Sequence, residues 1–178
     1  MLPGSLPAVF PYKAFKKSIA AWTQRRDEAT VGDSCVLQQR QTQLASCQRE
    51  LLRMLSAQLQ RLNATLVEHE EELVIRWHEL QEQLQSAASA AQQLHADMAG
   101  VQVRLQELLQ QLVNFHGDAV LLLNWSQVNF SAVVKALKKF DKHMGTSLRM
   151  PLTQQILTQV RHDALGVAAC NLTTAPSL

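Results

Sequence analysis

Residues 51–84 read LLRMLSAQLQRLNATLVEHEEELVIRWHELQEQL, and apolar side chains recur along this stretch at a nearly regular spacing. They are separated by steps of three, four or seven residues: Leu51, Leu55, Leu59, Leu62, Leu66, Leu73, Trp77, Leu80 and Leu84. This spacing places the side chains along one stripe of an α-helix and is close to a heptad seam. We therefore expect one very long helix, from about Val36 to the region of Ala91.

A second stripe follows, with alternating steps of four and three residues: Leu94, Met98, Val101, Leu105, Leu108, Leu112 and Phe115. Apolar positions continue past Gly117, so we expect the helix to continue there, although glycine costs about 1 kcal/mol in a helix interior. Gly145 suits the residue that follows a helix, which predicts a second long helix from about Val101 to Met144. The two helices are expected to be antiparallel, with a hairpin turn between about Ser86 and Gly100.

Composition agrees with a helical chain. No proline occurs between positions 11 and 151, and aromatic residues make up only 5% of the 178 residues. Both features favour long helices over β-sandwiches and barrels, and the length suits a single domain. The sequence therefore predicts an all-α helical bundle, in which a short N-terminal helix packs on the two long helices and a short C-terminal helix follows them.

Separate features of the sequence predict the two short helices. The first is expected to begin at Pro11, because proline suits a first helical turn. Three apolar side chains share one of its faces: Phe15, Ile19 and Trp22. Asp27–Ser34 has the composition of a linker. A short helix is expected at about residues 152–160, and residues 166–178 lack periodicity, which predicts a frayed tail.

The lysines are distributed unevenly along the chain. All seven lysines lie in two clusters: Lys13, Lys16 and Lys17, then Lys135, Lys138, Lys139 and Lys142. Two tight clusters suggest two halves of one anion site that folding brings together, and the alternative is two ordinary solvated helix faces. In the first cluster, Tyr12 and Lys16 are four residues apart and share a face. A phenol hydroxyl beside an ammonium group is suited to gripping a phosphate.

The second lysine cluster has a clear helical geometry. With Val133 at 0° and about 100° per residue, Leu137, Phe140 and Met144 fall within about 40° of it. The four lysines lie on the opposite side, at about 200°, 140°, 240° and 180° for Lys135, Lys138, Lys139 and Lys142. Four ammonium groups within two turns repel one another, and Asp141 relieves only some of this repulsion. We therefore expect a polyanion to complete the cluster.

No catalytic or metal-binding constellation is visible in the sequence. Nucleophile-elbow, phosphate-loop, zinc-protease and dinucleotide-binding motifs are absent, and no histidine has a partner at i,i+4 for a metal. The three cysteines form no CxxC pair, which is typical of a reduced intracellular protein. The longest apolar run, Ala119–Leu123, is far too short for a membrane span. We expect a binding protein without catalytic residues, metal or cofactor, and not an enzyme.

Three segments resemble the SPX domain family. Tyr12–Lys17, YKAFKK, is similar to the Y-K-x-L-K-K segment of that family's N-terminal helical hairpin. Leu59–Leu84 resembles the family's long helix, with its E-x-E-E-E-L and R-x-x-E-L elements. Val113–Lys142, VNFHGDAVLLLNWSQVNFSAVVKALKKFDK, is similar to the corresponding helix of plant-type stand-alone SPX proteins. The resemblance covers roughly Leu6–Leu157.

The resemblance implies an SPX-type helical bundle that binds inositol polyphosphates and pyrophosphates as reporters of cellular phosphate. By motif match, Tyr12, Lys16 and Lys139 correspond to the phosphate-binding cluster. The adjacent lysine surface corresponds to Lys135, Lys138 and Lys142. The stand-alone plant proteins sequester MYB-type phosphate-starvation transcription factors when ligand is bound, so the resemblance implies such a partner, in the nucleus and/or cytoplasm. Direct contact with nucleic acid or a membrane is not expected.

Both ends of the chain depart from the family pattern. The family opens with Met-Lys-Phe-x-Lys on a first helix, whereas this chain opens with Met-Leu-Pro-Gly-Ser-Leu-Pro, so we expect that helix to be incomplete. We place the SPX domain at residues 1–160 and a diverged or frayed tail at residues 161–178. Two alternatives remain open at this point. One is a regulatory SPX fragment of a larger transporter or polyphosphate polymerase, and the other is a coiled-coil interaction protein without a ligand.

Overall fold

The computed structural model describes residues 9–28, 36–93 and 98–158. Helix α1 spans Tyr12–Glu28, helix α2 spans Val36–Gln93 and helix α3 spans Met98–Met144. Residues 149–158 are also helical, and no strand occurs in the described ranges. The predicted all-α class is confirmed.

The long helices extend slightly further than predicted. Helix α2 continues through Ser86–Ala91 to Gln93, and α3 begins at Met98 rather than near Val101. Neither glycine nor proline interrupts Val36–Gln93, and alanine, frequent at its end, is the strongest helix former. Helix α3 also runs unbroken through Gly117, as expected. Residues 94–97, within the predicted turn, lie outside the described residues.

Helix α1 differs from the prediction by a residue or two at each end. It begins at Tyr12, because the Pro11 carbonyl accepts the first helical hydrogen bonds, from the amides of Ala14 and Phe15 at 3.0 and 3.3 Å. It also continues past Asp27, so the predicted linker starts too early. The Arg26 guanidinium holds this last turn by binding the Asp27 carboxylate at 2.8 Å and the carbonyl of His143. The rest of the predicted linker, residues 29–34, lies outside the described residues.

The described residues form two compact units. Among these residues, unit 1 contains 9–10, 50–93 and 98–131. In it α2 and α3 pair through an ion pair, with Arg76 Nη1 2.6 Å from Asp118 Oδ2, and through the rings of Trp77 and Phe115, whose centroids are 5.6 Å apart. From the first contact to the second, the residue number increases along α2 and decreases along α3. The predicted antiparallel arrangement is therefore confirmed.

Unit 2 contains residues 11–28, 36–49 and 132–158. Its buried apolar side chains come from one face of α1 and one face of α3: Phe15, Ile19, Trp22, Val133, Ala136, Leu137, Phe140 and Met144. Trp22 meets Phe140 edge-on, with ring centroids 6.0 Å apart, and Arg26 binds the His143 carbonyl one turn further along. From the first contact to the second, the residue number increases along both helices. Helix α1 and the C-terminal part of α3 are therefore parallel.

The two predicted apolar stripes are only partly buried. Leu51 and Leu55 are buried, but four stripe residues keep more than two fifths of their surface exposed: Trp77, Leu84, Leu105 and Leu112. These four side chains therefore do not belong to a buried seam. Two helices bury only the strip along which they touch, and the flanking positions of a heptad pattern need further helices to cover them. Leu94 lies outside the described residues.

Helix α3 ends as predicted at Met144, just before Gly145. This glycine has φ +69°, and its amide and that of Thr146 both donate to the Asp141 carbonyl, at 2.8 and 3.2 Å. The left-handed conformation favours glycine because a side chain is strained there. The following helix begins at residue 149, three residues before the prediction. The predicted boundary at residue 160 and the predicted tails at 161–178 and 166–178 lie outside the described residues.

Within the described ranges, no helix is both long enough and apolar enough to cross a membrane.

Candidate anion-binding site

The second lysine cluster lies opposite the buried face of α3, as the helical wheel predicted. Val133, Leu137 and Phe140 are almost fully buried. Lys135, Lys138 and Lys142 are exposed, while Lys139 is half-buried. Because the apolar face packs against α1, the ammonium groups point outward. None of the four ammonium groups forms an ion pair or hydrogen bond with another described residue.

Helix α1 lies on the side of α3 that carries Lys139. It contacts α3 at Phe140 and His143, at about 340° and 280° on the wheel that has Val133 at 0°. Lys139, at about 240°, is about 40° from His143, whereas Lys138, at about 140°, points away from α1. The partial burial of Lys139 agrees with this position. Lys139 is thus the lysine of the second cluster closest to the helix that carries the first cluster.

Tyr12 and Lys16 lie on the first turns of α1, Tyr12 half-buried and Lys16 exposed. A groove of about 480 Å³ between the two helices is lined by Ala20, Thr23, Gln24, Asp27 and His143. Lys16 is one turn before Ala20, on the α1 edge that borders this groove. The structure thus brings the helices of both clusters side by side, with Lys16 and Lys139 on the edges that face each other.

A buried amide anchors the residues that lead into α1. Asn129 is 3% exposed, its Oδ1 accepts the amide of Phe10 at 2.6 Å, and its Nδ2 donates to the Trp125 carbonyl at 2.9 Å. All three residues belong to unit 1. Phe10, itself buried, is two residues before Tyr12. Sequence reasoning gave Asn129 no such role, because a partner 119 residues away leaves no local pattern.

Asp141 has a structural role that the sequence did not predict. Its carboxylate accepts hydrogen bonds from the Thr146 hydroxyl at 2.6 Å and from the amides of Leu148 and Arg149 at 2.9 Å. It therefore caps the helix at 149–158 across the turn. A carboxylate near a helix N-terminus stabilises that helix, since it satisfies amides that lack an intrahelical partner. With this cap the helix starts at residue 149, three residues before the start predicted from its sequence.

The same cap brings one further cation to the lysine surface. A cavity of about 310 Å³ is lined by Lys138, Asp141, Thr146, Ser147, Arg149 and Met150. Arg149 therefore lies close to Lys138, although eleven residues separate them in the sequence. Sequence reasoning missed Arg149 because the turn at Gly145, and not a helical period, sets its position.

Metal-ligating and thiol groups among the described residues were predicted to form no site. The described residues contain no cluster of three or more histidine, cysteine or acidic side chains that could hold a metal ion. Cys47 is half-buried, and burial raises the pKa of its thiol, an effect that the charge of Arg25 only partly offsets. A thiol with a raised pKa is largely protonated at neutral pH and is a poor nucleophile.

Similarity to known proteins agrees with the predicted family. No protein-family model matches the chain. It is 41% identical over 114 residues to SPX domain-containing protein 5 of Oryza sativa subsp. indica, a match that covers 64% of this chain and 42% of that protein. It is 38% identical over 108 residues to SPX domain-containing protein 1 of Oryza sativa subsp. japonica, covering 61% and 34%. It is 37% identical over 112 residues to SPX domain-containing protein 4 of Arabidopsis thaliana, covering 63% and 35%.

The matched part spans less than half the length of each of these curated relatives. Their names agree with the three segments that suggested the family from the sequence alone. The all-α fold is consistent with that family. The resemblance predicted from the sequence is therefore confirmed: this chain is related to the SPX domain-containing proteins of plants.

Proposed function

We propose that the chain is a phosphate-status sensor that binds inositol pyrophosphates or polyphosphates. Tyr12, Lys16 and Lys139 would grip the phosphate groups. The surrounding surface would attract the ligand through Lys135, Lys138 and Lys142. With ligand bound, the chain would sequester a MYB-type phosphate-starvation transcription factor, so its role is binding and not catalysis.

The packing of α1 on α3 carries this proposal. Trp22 and Phe140 are in direct ring contact, and they hold two lysine-bearing helices side by side in one compact unit. Unpaired ammonium groups on one side of that unit favour a multiply charged anion, because several phosphates can each meet a cation. A small anion cannot contact both clusters at once. Inorganic phosphate should therefore bind poorly.

Calorimetric titration of the whole chain tests ligand binding. An inositol pyrophosphate should give a clear binding isotherm, and inorganic phosphate at the same concentration should give little heat. A variant with Lys135, Lys138 and Lys139 all changed to Ala should lose most of the binding. If this triple variant retains full affinity, the lysines are inert, and a helical interaction protein without a ligand becomes the better description.

Capture of the transcription factor tests the second step separately. The immobilised chain should retain a MYB-type phosphate-starvation factor when inositol pyrophosphate is present and release it when the ligand is washed out. Retention that is equal with and without ligand would contradict the sensor mechanism, even if the ligand itself binds.

A further inference from the structure

The α2–α3 pair of unit 1 leaves one apolar face uncovered. Six side chains on α3 share this side of the helix within an arc of about 100°, and each is at least 40% exposed: Leu105, Leu109, Leu112, Val113, Val120 and Leu123. The row from Leu105 to Leu123 is about 27 Å long at the usual helical rise.

Helix α2 extends the same face. Trp77 contacts Phe115 across the seam, Leu112 lies one turn before Phe115, and Leu84 lies two turns after Trp77. Trp77 and Leu84 are 42% and 56% exposed. Residues that are three or seven apart lie on the same side of a helix. Because Phe115 and Trp77 are in contact, the exposed row that starts beside each of them lies on the same side of the helix pair. We call these eight residues the hairpin face.

The hairpin face is large for a protein surface. Eight side chains with about half their surface exposed present on the order of 700 Å² of apolar area, close to the roughly 800 Å² that each partner contributes to a standard interface. Exposed apolar patches beyond a few hundred Å² are typical of interaction sites. The face therefore has enough area for a stable complex.

The face also carries almost no charge. On the helical wheels of α2 and α3, Arg53, Arg61, Arg76 and Arg104 all lie away from it. Glu70, seven residues before Trp77, lies at the end of the α2 row, and His116 lies within the α3 arc. With one acidic side chain at the end of one row, the face does not select a partner by opposite charge. Its row of apolar residues at steps of three and four is complementary to an identical row, because ridges of one helix fit the grooves of another at this spacing.

We propose that the hairpin face is a homodimer interface, in which a second copy of this chain packs face to face. A two-fold axis would pair the same residues of both copies, as is usual in symmetric dimers. The two helix pairs would then form a four-helix bundle, in which the exposed leucines become core positions. The proposal does not depend on ligand binding by the lysine clusters.

Two leucines of α3 provide a matched pair of variants. Leu109 is 62% exposed and lies near the centre of the α3 arc of the hairpin face, whereas Leu121 is 52% exposed and lies about 120° away around the helix. Because both side chains are exposed, glutamate at either position should leave the helix folded. Leu109→Glu would bury a charge in the dimer and should weaken association at least about 100-fold, while Leu121→Glu should leave it unchanged.

Sedimentation equilibrium of the whole chain over a range of concentrations measures the association, and circular dichroism checks folding. The natural chain should be dimeric at micromolar concentration, Leu109→Glu monomeric, and Leu121→Glu dimeric. Added salt should not weaken the dimer, because residues 50–131 carry ten acidic and four basic side chains, so that two copies repel each other and salt screens this repulsion. A natural chain that is monomeric at all concentrations, or equal association of both variants, would overturn the proposal.

Discussion

The ring of Trp22 meets the ring of Phe140 edge-on at 84°, with centroids 6.0 Å apart. Together with the bond from Arg26 to the His143 carbonyl, this contact makes α1 parallel to the end of α3. The parallel direction determines which lysines can act together. Were α1 antiparallel, its first turns would lie beside the end of α3, and Lys16 would be carried away from Lys135.

Changing Lys139 to Ala should weaken inositol pyrophosphate binding more than changing Lys17 to Ala. Lys139 lies on the α3 side nearer to α1, whereas Lys17 lies on the side of α1 opposite its buried face. One lost charge-assisted contact should cost about 1.5–3 kcal/mol of binding free energy. Stability should hardly change, because removing one of four crowded ammonium groups relieves repulsion.

The measurement pairs thermal melting without ligand with calorimetric titration for each of these two variants. If Lys139→Ala melts several degrees lower yet binds the ligand normally, Lys139 is a structural residue. The sensor proposal would then lose its central contact.

Ligand binding should weaken steeply as salt concentration rises. The cations are mostly exposed and lie on an open surface, so dissolved ions screen them at physiological ionic strength, where the Debye length is about 8 Å. Titration of the chain with an inositol polyphosphate at low and at high sodium chloride measures the effect. Equal affinities at both salt concentrations would show that electrostatic attraction does not drive binding.

Two glycines of α3 should respond to alanine in opposite directions. Gly117 lies within the helix with open space around an added Cβ, so Gly117→Ala should raise stability by about 1 kcal/mol. Gly145 has φ +69°, so Gly145→Ala should lower stability by about 1 kcal/mol. Thermal or urea unfolding measures both changes, and a loss of stability in Gly117→Ala would contradict the open environment of that residue.

The ion pair between Arg76 and Asp118 should contribute to the pairing of α2 with α3. The Asp118 side chain is only 9% exposed, so replacing Arg76 with Met removes a guanidinium from a buried carboxylate and should cost about 2–3 kcal/mol. Arg53→Met is the control, since Arg53 pairs with Glu50 at the surface and its loss should leave the melting temperature unchanged. Equal effects in urea unfolding would contradict this role for the buried pair.

Glu70 should make stability depend on pH. Burial raises the pKa of its carboxyl above the usual 4.5, so the folded chain favours the neutral acid. The stability that this shift contributes is fully present below the pKa of Glu70 in the unfolded chain. It is lost as pH rises through the higher pKa of Glu70 in the folded chain. Glu70→Gln should therefore raise the melting temperature at pH 7, and the gain should shrink towards pH 4.

Glu71→Gln is the control for that experiment, because it removes the same charge from a position away from the hairpin face. Melting curves of both variants between pH 4 and pH 7 make the comparison. A gain in Glu70→Gln that does not change with pH would contradict the assigned cause.

Much of the fold could be predicted because its signals are local. The apolar spacing around Leu51 and Leu55, the absence of interior proline and the glycine at position 145 each act within a few residues of chain. They were sufficient to predict two long antiparallel helices and the end of α3 at Met144. The helical period alone places Phe140 on one side of α3 and the four lysines on the other.

Other features depend on contacts between distant residues. The sequence alone determined which helices form and which face of each is apolar or cationic, because hydrogen bonding and helical periodicity are local properties. Only the tertiary structure decided that α1 runs parallel to α3, that Asn129 anchors Phe10, that Asp141 caps the next helix, and that the hairpin face stays open. These outcomes depend on which apolar surfaces bury one another, and partners more than a hundred residues apart, such as Trp22 and Phe140, leave no periodic trace in the chain.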